Sequence, residues 1–286
     1  MDCLGHEDLQ VQQSAAKNFS FLASDTAGCQ KLLEANAIVS LLDAADNGDI
    51  GTALECFSSL LVAAKKECVR SYFLNNHDLL SKLLAISKGG AVLEKASAAL
   101  KLVHLVLEGR YNEETIEFLL KSDAIGICAG YLSSASADVK HSASTVLAFL
   151  SVSDAGKETA IAWNVVEPLV DMACTKDRKL QYSSSSCLMA LAVANSGKAA
   201  FNALDESKLK TCIAMLLDSE DEFIIMNALQ IIAAAAEHDK VRASLKPFTG
   251  KLNAMKDSLP NYVSHHLAYA VRQLGFLNLP YTKLVH

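Results

Sequence analysis

The chain has little of what interrupts helices. Four prolines and 13 glycines are spread over 286 residues. No stretch alternates apolar and polar side chains with the period of two of a half-buried strand, which excludes a sheet-based fold. Aromatic residues make up 6%, with a single tryptophan, Trp163, so a core has to come from aliphatic and small side chains. No window reaches the ~18 uninterrupted apolar residues of a membrane span. The opening MDCLGHEDLQ carries three acidic residues and no apolar run where a secretory signal would have one. These absences point to a soluble, intracellular, cytoplasmic chain with no membrane partner.

C-x-x-C pairs are absent too. The eight cysteines are Cys3, Cys29, Cys56, Cys68, Cys128, Cys174, Cys187 and Cys212, most of them among apolar residues at helical spacing. They read as small hydrophobes in a reducing compartment, not as a disulfide framework. Net charge is −6, whereas a nucleic-acid binder usually presents a basic face. No nucleic acid is expected, and Lys246, Lys251 and Lys256 read as a solvated helix side.

What is present is aliphatic and periodic: 51% of the chain is hydrophobic. Within 139–173, VKHSASTVLAFLSVSDAGKETAIAWNVVEPLVDMA, Val139, Ala143, Leu147 and Leu150 form one stripe of a 3.6-residue period. Val166, Leu169, Val170 and Ala173 form a second. The stretch reads as two helices with a glycine turn at Gly156 between them. Neither can bury its apolar face alone, so each needs neighbours of the same kind.

The first stripe recurs along the chain. It appears at Val11, Ala15, Phe19 and Leu22; at Ala53, Phe57 and Leu60, with Asp49 in the leading slot; and at Val92, Ala96, Leu100 and Val103. It returns at Leu180, Ser184, Leu188 and Leu191, at Ile224, Ala228, Ile232 and Ala235, and at Val263, Leu267, Val271 and Leu274. Taking Ala15, Ala53, Ala96, Ala143, Ser184, Ala228 and Leu267 as anchors, the intervals are 38, 43, 47, 41, 44 and 39 residues. A period of this size belongs to helical repeat arrays.

Thirteen residues after an anchor stand Gly28, Gly109, Gly156 and Gly197, read as left-handed caps that end the first helix. The second stripe holds phase as well, at Ile38, Leu41, Leu42 and Ala45; Leu80, Leu83 and Leu84; Ile125 and Cys128; and Leu209, Cys212 and Ile213. EGRYNEETIEF and ANSGKAAFNALDESK read as extra turn residues in units three and five. AADNGDIG (44–51) and CTKDRK (174–179) read as turns between units. No linker divides the chain. The units fall at about 5–46, 47–88, 89–136, 137–177, 178–221 and 222–258, with a partial cap at 259–280 and a tail at 281–286.

A unit of about 42 residues with a V-x-x-x-A-x-x-x-L-x-x-L helix, a Gly turn and an I-x-P-L-V-type helix resembles the armadillo repeat. Residues 139–173 carry the resemblance most clearly, and 11–45, VQQSAAKNFSFLAS…GCQKLLEANAIVSLLDAA, carry it next. The resemblance covers nearly the whole chain. It implies an all-α, right-handed α-solenoid of about seven armadillo/HEAT-like repeats, a single solenoid over 1–286. It also implies that the last helix of each unit lines a concave groove that binds proteins. On that implication the partner-binding groove holds Asp43, Ser81, Lys82, Glu167, Asp171, Lys210 and Thr211. The importin-α type of groove carries ladders of Trp and Asn. Here Trp163 stands before the groove helix and the asparagines are missing, so nuclear-signal binding is not expected. Gly-Lys followed by VEPLVDMA is also similar to armadillo proteins of ciliary radial spokes, which implies an axonemal setting.

The residues that could carry chemistry fall short of any known constellation. Gly156-Lys157-Glu158-Thr159 lacks the earlier glycine and the Ser or Thr after lysine that a phosphate loop needs. Cys3 with His6, and His265-His266, cannot supply the three or four convergent ligands of a zinc site; adjacent helical histidines point about 100° apart. His104 and His141 show no acidic or cysteine partner near in sequence. Ser183 to Ser186 occupy a packing stripe, and so read as close helix contact.

The reading is therefore a non-enzymatic protein–protein scaffold or docking subunit of a multi-subunit assembly, without cofactor, metal or small-molecule substrate. The alternative is a soluble cytoplasmic adaptor or chaperone-like cofactor that binds extended peptides. FIIMNALQIIAAAA in unit six is apolar almost all round and should be sandwiched, with the helix bearing His265, Arg272 and Gln273 as its cap. Only ten residues precede Val11, so that end is expected to pack on a partner, another chain or a further segment.

Overall fold

The computed structural model describes residues 2–89, 92–108 and 112–276. Two compact units divide the chain, 1–150 and 151–286. The first opens with a 3-10 turn, Asp2–Gly5, and then runs α1 (Leu9–Leu22), α2 (Thr26–Glu34), α3 (Ala37–Asn47), α4 (Ile50–Ala63) and α5 (Glu67–Leu74). It continues with α6 (His77–Lys88), α7 (Leu93–Leu107), α8 (Glu113–Lys121), α9 (Ala124–Tyr131) and α10 (Ala137–Leu150). The second unit holds α11 (Asp154–Ala162), α12 (Val166–Ala173), α13 (Arg178–Ala192), α14 (Asn195–Ala203) and α15 (Glu206–Leu217). After these come α16 (Glu222–Ala235), α17 (Asp239–Leu245), a 3-10 turn Lys246–Phe248, α18 (Thr249–Ala254) and α19 (Asn261–Leu274). The described residues contain no strand.

The repeat thus has three helices, not the two that the stripes show. A long first helix carries the anchor, a second helix of seven to nine residues follows, and a third helix carries the second stripe. The second helices cover the stretches expected to be turns. NEETIEF falls largely in α8 and NSGKAAFNA makes up α14. Each buries few residues, Gly156 and Ala160 in α11 for example, too few to show a period. Gly48, Asp49 and 174–177 do form breaks between repeats.

Within each unit, first helices pack on one another: α1 on α4, α4 on α7, α7 on α10, and α13 on α16, α16 on α19. Each third helix packs on the next first helix, as α3 does on α4 and α12 on α13. The anchors explain the close stacking. Ala53, Ala96, Ala143, Ser184 and Ala228 are fully or almost fully buried, and a small side chain there lets two helices approach. The third-helix stripe is equally dry. Ile38, Leu41, Leu42 and Ala45 have no exposed surface, and full burial of each large one stabilises by about 1.5–3 kcal/mol. Helix α16 packs on α13, α15 and α19, which is why an all-round apolar sequence is tolerated there. In α1 the stripe departs from expectation. Ala16 and Ala23 are buried, Ala15 and Phe19 are half-buried, Leu22 is 48% exposed and Phe21 69%.

The repeated glycines are not helix stops. Gly28, Gly156 and Gly197 sit in the first turn of the second helices α2, α11 and α14, and all three are buried. A Cβ at Gly28 would lie 1.8 Å from the Leu22 carbonyl oxygen, and one at Gly197 1.9 Å from that of Leu191. The glycine therefore lets the second helix press against the end of the first; no left-handed backbone is involved. Gly109 lies outside the described residues, as does the tail 281–286. Among the described non-glycine residues the left-handed positions are Asn36, Asp123 and Asn164, between second and third helices, where short polar side chains tolerate positive φ. Side chains of Asp8, Asp25, Asp49, Asn112, Ser153, Asp177, Asp205 and Asp221 cap helix starts by accepting backbone N–H bonds.

Candidate functional site

The third helices place the sequence-derived candidates side by side across neighbouring repeats. Asp43 on α3 accepts from Lys82 on α6 at 2.5 Å, and Asp46 lies 3.5 Å from the same ammonium. Glu167 and Asp171, one turn apart on α12, both face Lys208 of α15, at 2.9 and 2.7 Å. Lys88 reaches Asp123 at 3.4 Å, and Lys251 reaches Asp218 at 2.5 Å. Each rung thus joins a carboxylate and a lysine across neighbouring third helices, the lysine on the later one except in Lys88–Asp123. Proximity to Asp43 and Asp46 lifts the Lys82 ammonium above its ordinary range against the opposing cost of burial. Hydrogen bonds to Asp171 and Glu167 raise that of Lys208.

Lys208 is the residue that periodicity missed: it lies just outside the apolar stripe. Lys210 does not join this rung. It pairs along its own helix with Glu206, at 2.5 Å. Ser81 and Thr211 are exposed. Lys251, read as part of a solvated basic face, is committed to Asp218.

The first helices offer a different surface, one of clefts. In the first unit a hollow of about 540 Å³ opens along α4, α7 and the start of α10. Phe57 and Val139 form its dry floor. Leu54 and Leu93, 38% and 44% exposed, form its lips, with Glu94, Lys101 and Asp138 around it. In the second unit a hollow of about 300 Å³ lies among α13, α14, α16 and α19. Val193 and Tyr269 are its exposed apolar rim, and the Lys198–Glu237 ion pair (2.5 Å) forms one wall with His266 beside it. Further apolar side chains stand out on these helices, Leu9 and Ile50 in the first unit, Tyr182, Phe223 and Tyr262 in the second.

The remaining constellations resolve into structure. The amide of Gly156 donates to its own cap, Ser153 Oγ, at 3.1 Å, and Lys157 pairs with Asp154 at 2.8 Å. Ser183, Ser184 and Ser185 are buried, and Asn227 donates to Ser185 and Ser186 at 3.1 and 3.0 Å. His104 does have an acidic neighbour, contrary to the sequence reading. Glu108, one turn later, lies 3.0 Å from its Nε2, and His141 meets it edge to face, with ring centroids 5.4 Å apart. Burial pulls the His104 imidazole below its ordinary value, against the opposing pull of Glu108. His6 Nδ1 accepts from the Asp8 amide at 3.0 Å. Among the described residues no group of three or more His, Cys, Asp or Glu could hold a metal ion, and no helix is long and apolar enough to cross a membrane.

Comparison with solved structures places this geometry in a known class. A designed armadillo repeat protein in complex with the peptide (KR)4 is similar to this chain, with TM-score 0.67 and 21% identity over 82% of this chain and 97% of the designed one. An engineered protein matches with TM-score 0.68 and 17% identity, over 85% and 95%. A second designed armadillo repeat protein matches with TM-score 0.53 and 19% identity, over 96% and 98%. The chain therefore has the all-α armadillo-type solenoid fold. No protein-family model and no curated protein sequence matches it.

Proposed function

We propose that this protein is a non-enzymatic scaffold, a single armadillo solenoid that docks segments of other proteins within a multi-subunit assembly. The observation that carries the reading is the first-unit hollow, built from consecutive first helices with apolar lips at Leu54 and Leu93. A cleft assembled from equivalent positions of successive repeats suits a partner chain that runs across them. Glu94 and Asp138 at its border, with the net charge of −6, suit a segment that brings positive charge. A basic peptide is also what the designed neighbour holds.

The test is binding of extended basic peptides, beginning with (KR)4, to the whole chain. Affinity is expected at about micromolar strength, falling at least about tenfold in the Leu54→Lys, Leu93→Lys double variant, which sets like charge against the peptide, with an unchanged melting temperature. Equal binding by the variant overturns the cleft as the docking surface.

The third-helix side of each unit is a second candidate: Ser81 is exposed beside the Asp43–Lys82 rung in the first, and Thr211 beside that of Glu167, Asp171 and Lys208 in the second. It suits a folded partner better than a threaded peptide, because its charges already pair across repeats. Loss of partner binding on Ser81→Arg and Thr211→Arg, with the cleft variant unaffected, would assign the docking to this face. The axonemal setting rests on the likeness of residues 156–173 to radial-spoke armadillo proteins. Co-purification with radial-spoke subunits from motile cilia tests it, and recovery with soluble cytoplasmic partners alone would favour the adaptor reading.

A further inference from the structure

The docking surfaces leave one piece of chemistry unused, a pair of thiols between repeats. Cys174 caps the end of α12, its amide donating to the Val170 carbonyl at 3.0 Å. Cys212 lies on α15. The neighbouring ion pair fixes their register. Asp171, three residues before Cys174, holds Lys208, four residues before Cys212, at 2.7 Å. Helices α12 and α15 pack on each other, so one turn further along both, Cys174 and Cys212 come to the same side of the contact, where the two thiols interact. Cys212 is 2% exposed and Cys174 half-buried, so one sulfur is reachable from solvent and the other stands behind it.

Electrostatics separates their roles. The interaction with Cys212, with help from Lys208 and against burial and Asp171, brings the Cys174 thiol down to about 7. The same interaction, and burial, push Cys212 up. Burial pushes the thiols of Cys56 and Cys187 up to about 12. The other neighbouring pair, Cys29 and Cys68, lacks this arrangement. Cys29 Sγ donates to the Ala23 carbonyl at 3.3 Å, and burial raises its pKa.

We propose that Cys174 and Cys212 form a reversible redox site that closes to a disulfide between repeats on meeting a low-molecular-weight disulfide such as oxidised glutathione. The Cys174 thiolate attacks one sulfur of the oxidant, forming a mixed disulfide and expelling a thiolate that takes up a proton. Cys212 then releases its proton to solvent and attacks Cys174 Sγ. The Cys174–Cys212 bond forms, the mixed disulfide breaks, and a second thiolate leaves and is protonated. The two cysteines lose two electrons and two protons, and the oxidant is reduced to two thiols. The bond ties α12 to α15 beside the rung of Glu167, Asp171 and Lys208, and so fixes that stretch of the third-helix face. The inference stands apart from the choice of docking surface.

The test incubates the whole reduced chain with oxidised glutathione near neutral pH, traps remaining thiols by alkylation and maps the peptides by mass spectrometry. The expected result is a Cys174–Cys212 link that dithiothreitol reverses and Cys174→Ser abolishes. Cys212→Ser should instead hold one glutathionyl group on Cys174. In the untreated chain, native alkylation of Cys174 should outrun that of Cys56 and Cys187 by at least about a hundredfold. A glutathionyl group that persists on Cys174 in the wild type, or no reaction at Cys174, overturns the proposal. Should Cys212→Ser fail to fold, the wild-type map and the half-exposed Cys174→Ser variant decide alone.

Discussion

A hydrogen in place of a methyl group at Gly28 and Gly197 lets two helix ends touch. Replacement by alanine forces backbone atoms apart, at a cost of about 1–3 kcal/mol by analogy with overpacked cores. Gly130, in α9, is the control. A Cβ there meets nothing within 4 Å, so Gly130→Ala should stabilise, by about 0.4–1 kcal/mol. Chemical denaturation of the three variants checks both signs. His104 gives a residue-scale pH dependence. Its folded pKa lies below the ordinary value because of burial, so the unfolded chain binds the proton first. Its contribution to stability should be lost as pH falls from about 6.5, and it should be flat above. The groups facing it are Glu108, His141 and Lys101. Unfolding followed against pH should show this slope in the wild type and a shallower one in His104→Gln.

Helices meet each other here through two kinds of polar contact of unequal weight. Arg70 and Arg242 occupy the fourth position of α5 and α17 and donate to the carbonyl of the residue capping the preceding first helix, Ala64 at 3.3 Å and Ala236 at 2.8 Å. Both second helices carry valine, at Val69 and Val241, where α2, α11 and α14 carry glycine. An arginine thus bonds a first-helix end carbonyl in the two repeats whose second helix carries valine at this position. Arg242 is buried, pairs with Asp239 and lies over Phe276, 5.6 Å from the ring centroid. Arg242→Ala should destabilise by about 1–3 kcal/mol, the cost of a buried acceptor left without its donor. The Asp43–Lys82 rung is more exposed, and a double-mutant cycle on it should give less than about 1 kcal/mol, shrinking with salt.

The legibility of the fold follows the same division. First and third helices bury dry stripes, and those stripes are visible as a 3.6-residue period. The second helices bury two to four residues each, so their sequences look like turns. The glycines were visible as a register, but their reason, contact with a carbonyl from the preceding helix, is tertiary. The candidate groove residues lie on the third helices α3, α6, α12 and α15. Their partner Lys208 and the pairing of Cys174 with Cys212 belong to contacts across some 40 residues of sequence, which one repeat cannot reveal.

At the scale of the whole molecule, a repeat protein buries its core against its neighbours and leaves an equivalent surface on each repeat. Two such surfaces differ here in character. The first-helix surface has hollows and exposed leucines, and the third-helix surface has charges that already have partners within the chain. A photo-crosslinking residue placed in turn at positions 58 and 97, in the first-unit cleft, and at 81 and 211, on the third helices, measures which surface a partner touches. Docking in the cleft gives adducts from 58 and 97 that (KR)4-type peptides compete away. Adducts from 81 and 211 alone, or none from any position, would contradict it.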